Sequence, residues 1–178
     1  MHKIILVERY TPSSFYWTNL IKNKKNLELS VEQVLDKYQG FEGELIDFFH
    51  VKKSEDELNH IIKSLIKTKT SSRRLILHVI SDYETVPSFL SNHAFFVGYD
   101  IGVCEEEKTV YSSIFNEILF GHTVELIEFH KSLNQNFLFP DKSLAEKYVN
   151  VHNELSVQGK DVEDYEEMVI YGIWKQKG

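Results

Sequence analysis

The chain has 178 residues, 42% of them hydrophobic and 13% aromatic, which is enough apolar side chain for a buried core and excludes a disordered polymer. A net charge of −7 argues against a strongly basic nucleic-acid binder, and one cysteine cannot form an internal disulfide.

The length suits one domain, so residues 1–178 are read as a single unit. The opening MHKIILVERYTPSS has too short an apolar run for a secretory signal and no small-residue cleavage site. No stretch approaches the roughly 18–20 apolar residues of a membrane span. With the lone cysteine, these features predict a soluble cytoplasmic protein.

In chain order, residues 3–8 (KIILVE) predict a short buried strand. Thr11-Pro12 then predicts a helix start, with Phe15, Leu20 and Ile21 turned inward. Ser30 to Gln33 forms a capping box for a helix that stops at Gly40. Residues 44–51 (ELIDFFHV) favour a strand by their aromatic and β-branched content. Ser54 to Glu57 is a second capping box, opening an amphipathic helix with Leu58, Ile61, Ile62, Leu65 and Ile66 on one face. Residues 75–80 (LILHVI) predict a central strand, and residues 94–99 another, closed by a loop carrying Gly98 and Gly102. Residues 110–120 and 122–133 predict two helices. Ser143 to Glu146 is a third capping box, for a helix with Leu144, Tyr148, Val151 or His152, and Leu155 inward. Residues 168–174 (MVIYGIW) predict the last strand. The irregular order of about five strands among helices predicts an α+β fold, a mixed central sheet flanked by helices, with α/β as the alternative.

Charge divides the chain. Residues 1–89 hold 13 Lys and Arg against 12 Asp and Glu, whereas residues 90–178 hold 7 lysines, no arginine and 15 acids. The acidic half repels phosphate backbones and suits a basic protein partner, although acidic surface also serves plain solubility.

The search for chemistry centres on residues 95–121. Cys104 is followed by Glu105, Glu106 and Glu107, which disfavour its thiolate. Ser112 and Ser113 lack a nucleophile elbow. Gly98 to Gly102 (GYDIG) lacks the spacing of a phosphate or dinucleotide loop. His122 and His130 stand eight residues apart, about two helical turns, too far to share one ion unaided. The acidic run Asp161, Glu163, Asp164, Tyr165, Glu166 and Glu167 lacks the glycine of a calcium loop. His78, inside an apolar strand, suits a core histidine better than a general base. No cofactor or metal site is predicted.

The succession GYDIG at residues 98–102, YSSI at 111–114, Asn116-Glu117 and LNQNFLF at 133–139 resembles small bacterial immunity proteins of polymorphic-toxin and contact-dependent growth inhibition systems. The resemblance implies a non-enzymatic cytoplasmic protein that binds one cognate toxin domain and blocks it. Carboxylates facing toxin Lys and Arg would form charge-assisted bonds, and tyrosines would supply anchors. The expected partner surface is Asp100, Glu105, Glu106, Glu107, Asp161, Glu163, Asp164, Tyr165, Glu166 and Glu167. No nucleic acid or membrane is expected as a partner. The alternative is a small hydrolase or transferase with a carboxylate site near Asp100, Tyr111 and Glu117. A regulatory adaptor for another basic protein is a third reading. Asn116 and Glu117 also suit a structural role against the Asn134 loop.

Overall fold

The computed structural model describes residues 2–9, 43–51, 56, 74–79, 88–104, 109–112, 123–160 and 168–177. Apolar and β-branched runs supply its strands. These are β1 (His2–Arg9), β2 (Gly43–Val51), β3 (Arg74–Val79), β4 (Ala94–Cys104), β5 (Thr109–Ser112) and β6 (Val169–Gln176). They close into a ring in the order β1-β2-β5-β4-β6-β3, with β3 returning to β1. Every neighbouring pair in the ring is antiparallel.

The α+β class expected from the element pattern holds. The sheet itself differs from the expected mixed, five-stranded one. The added strand is β5, whose residues Val110 to Ser112 were expected to begin a helix. Four residues, TVYS, are too short for a period-2 signal, so the apolar pattern that follows them dominates the reading. β4 also runs on to Cys104 rather than ending at Tyr99. Closure removes the exposed edges that an open sheet would present. The helices expected over residues 11–23, 30–40 and 54–66, and residues 113–120, lie outside the described residues, except for Asp56, which is helical.

The pairing of β4 with β6 decides how side chains are distributed. Phe96 faces Trp174 and Gly98 faces Ile173, so Val97 is an extra residue, a β-bulge. Opposed residues share a face. Phe96, Tyr99 and Ile101 therefore lie with Trp174, Gly172 and Ile170, while Phe95, Gly98 and Asp100 lie with Lys175, Ile173 and Tyr171. Phe95 and Lys175 of the second set and Phe96 of the first are exposed near one end of the pair, whereas Asp100, Tyr171 and Ile173 of the second set and Ile101 of the first are buried. Within the first set the rings of Phe96 and Tyr99 meet edge to face at 4.9 Å, and those of Phe96 and Trp174 at 5.1 Å. Only the bulge allows Phe96 and Tyr99, three residues apart, to share that face.

Helices pack against β4. Helix α1 (Ser88–His93) leads directly into β4. Lys177 Nζ donates to the Ser91 carbonyl at 2.7 Å and sits 5.0 Å from the Phe95 ring centroid. This ties the end of β6 to α1 and to the start of β4.

Helix α2 (Val124–Ile127) continues into a 3-10 turn, Glu128–Ser132, close to the span expected for one helix. Helix α3 (Lys142–Val157) follows. Its N-cap is Asp141, not the expected Ser143. Asp141 Oδ1 accepts from the Leu144 N–H at 3.0 Å and from Ser143 Oγ at 2.7 Å. An aspartate two residues earlier, just after Pro140, takes the capping position, and Ser143 becomes a helical residue that supports it.

The α3 C-terminus is a Schellman motif. Lys160 N–H donates to the Leu155 carbonyl at 3.1 Å, Gly159 N–H donates to the Ser156 carbonyl at 2.9 Å, and Gly159 takes φ 69°. Ala145, Tyr148, His152 and Leu155 form its buried stripe. Of the expected inward positions, Tyr148, His152 and Leu155 are buried, while Leu144 and Val151 are half-buried. The Tyr148 ring packs against Phe129 at 5.5 Å and Phe139 at 5.7 Å, joining α3 to the 3-10 turn and to the segment that crosses β4.

Candidate functional site

The expected site stretch, Gly98 to Gly102, is a continuous part of β4. Its backbone is engaged on both sides. β6 runs along one side, and β5 reaches only Gly102 to Cys104 on the other. Beyond the end of β5, residues 134–139 take its place.

Tyr99 N–H donates to the Phe139 carbonyl at 2.8 Å, and Phe139 N–H donates back to the Tyr99 carbonyl at 2.9 Å. Asn134 anchors the same segment: its Nδ2 donates to the Val97 carbonyl, at the bulge, at 2.9 Å. Its Oδ1 accepts from the N–H groups of Asn136 at 2.8 Å and Leu138 at 3.2 Å. Phe137 turns the chain at φ 56°. Strand addition to β4 between Val97 and Tyr99 would require this strap to leave.

Gly98 is required at the crossing. A Cβ there would stand 2.7 Å from Leu138 Cβ and 3.0 Å from the Phe139 carbonyl oxygen. Sequence reading took this glycine for the end of a strand. Its actual role depends on Leu138 and Phe139, which no local pattern links to it. Asn134, Leu138 and Phe139 were likewise quoted within a motif but assigned no function. Their signal was the Asn-x-Asn spacing of a side-chain-closed turn.

Asp100 does not join a surface. Its side chain is fully buried, and its Oδ1 accepts the N–H of Ile101 at 2.8 Å. Such burial weighs against the expected partner contact of Asp100. Strand alternation in β4 puts Asp100 on the face it shares with Gly98, Tyr171 and Ile173, all of them buried. A carboxylate at such a position serves packing and backbone hydrogen bonding.

Glu105, Glu106, Glu107, Asp161, Glu163, Asp164, Tyr165, Glu166 and Glu167 lie outside the described residues, as do Asn116, Glu117 and His122. Tyr111 lies in β5, opposite Val103. The described strand ends next to the two acidic runs do have a defined relationship. Gly102 is opposite Val169, so Cys104, which precedes Glu105, and Val169, which follows the second run, stand at the same end of the β4–β6 pair.

The electrostatics of the described residues are local. Lys160 pairs with Glu125, linking the end of α3 to α2 and holding the Glu125 carboxyl below its usual range. Lys131 pairs with Glu128 at 2.8 Å, and Lys142 with Glu146 at 3.1 Å, both on exposed helical turns and worth little to stability. Burial raises the Tyr99 hydroxyl above its ordinary value, partly opposed by the Lys142 ammonium. Burial lowers His130, whose Nε2 has no hydrogen-bond partner among the described residues.

Among the described residues, no group of three His, Cys, Asp or Glu side chains is placed to hold a metal ion. Among the same residues no helix is long and apolar enough to cross a membrane. Comparison with known proteins finds no matching family model, no matching curated protein and no matching solved structure.

Proposed function

We propose that this chain is an immunity-type inhibitor that binds a cognate basic toxin domain in the cytoplasm and occludes it, without catalysis of its own. One structural observation carries the reading forward. The antiparallel register of β4 and β6 brings together the two strand ends from which the acidic runs depart, Cys104 and Val169. The contact surface is accordingly drawn without Asp100. It comprises Glu105 to Glu107 and the run from Asp161 to Glu167. Acidic runs attached at these two strand ends would together steer a basic partner toward that end. The excess of 15 acids over 7 lysines in residues 90–178 supports the same choice of partner.

The test uses the protein encoded beside this chain's gene, since an immunity gene normally follows its toxin gene. The two are mixed in purified form, and association is followed at low and high salt. The expected result is a stoichiometric complex whose association slows as salt rises. Reversing the charge of both acidic runs should lower the association rate on the order of tenfold or more at low salt. A complex that forms at an unchanged rate after both reversals rejects this surface. Absence of any complex rejects the inhibitor reading.

A further inference from the structure

We draw no further inference here: the strongest candidate, the edge-to-face cluster of Phe96, Tyr99 and Trp174 on β4 and β6, whose Trp174 indole N–H is buried without an acceptor among the described residues, consists of rings packed directly on one another, and nothing among the described residues shows a cavity or group facing that N–H.

Discussion

Tyr99 and Phe139 exchange both backbone hydrogen bonds, at 2.8 and 2.9 Å, and so join the centre of β4 to a segment far along the chain. Asn134 holds the other end of that strap with three side-chain hydrogen bonds. Asn134→Ala removes all three and leaves the Val97 carbonyl without this donor. At roughly 1 kcal/mol net for each, stability should fall by about 2–3 kcal/mol. Asn134→Asp keeps the acceptor oxygen and loses only the donor, so its cost should be intermediate. Urea unfolding of the three proteins measures this, and a loss under about 0.5 kcal/mol in Asn134→Ala would show that other contacts hold the strap.

Gly98→Ala should be destabilising by about 1–3 kcal/mol, because the new methyl meets Leu138 Cβ and the Phe139 carbonyl. Leu138→Ala retains the Cβ atom in the way. The double variant should therefore be no more stable than Gly98→Ala alone. Relief in the double variant, read from thermal midpoints, would place the clash farther out on the leucine side chain.

Asp100→Ala should act on stability and not on recognition. It leaves the Ile101 N–H without its present acceptor in a fully buried setting, a loss of about 1–3 kcal/mol. Once folded, the variant should bind the toxin partner with the affinity of the original chain. A drop in affinity at unchanged stability would return Asp100 to the contact surface.

The helix cap gives a pH dependence at the acid end. Hydrogen bonds from Ser143 and the Leu144 N–H lower the Asp141 carboxyl below its usual 3.8. A carboxyl depressed in the folded state stabilises above its unfolded pKa, and that contribution disappears as pH falls through the folded value. The advantage of the original chain over Asp141→Ala, measured by denaturant midpoint, should therefore be constant near neutrality and shrink below 3.8. An advantage that persists undiminished in strong acid would assign the cap to another group.

His130 gives the complementary dependence near neutrality. Burial lowers it below 6.5, so the unfolded chain takes up its proton first. The neutral ring's contribution is complete above that value and declines as pH falls toward the folded pKa. Stability relative to His130→Gln should fall as the pH is lowered through and below 6.5. A flat difference would show that the ring is protonated equally in both states.

The readable part of the fold is the part determined locally. KIILV in β1, LILHV in β3 and VIYGIW in β6 announce themselves by apolar content alone, and each was placed within a residue or two of its observed ends. The stripe Tyr148, His152 and Leu155 follows from helical periodicity. What escaped is set by distant contacts. The bulge at Val97 exists together with Asn134, and the glycine at 98 with Leu138. Asp100 is buried opposite Tyr171 of β6, and a glycine-framed aspartate gives no local sign of that distant strand. The choice of Asp141 over Ser143 as cap was a contest between two suitable residues, decided by where the chain leaves Phe139.

The barrel's order also bears on how it is made. β6, last of the described strands, sits between β3 and β4, and no other described strand joins those two. As the chain emerges from the ribosome, β1, β2 and β3 can pair early, and β4 can meet β5, but the ring stays open until residues 169–176 arrive. Until then the nascent chain shows two bare strand flanks to its surroundings, and its exposure to wrong pairing lasts until β6 is in place.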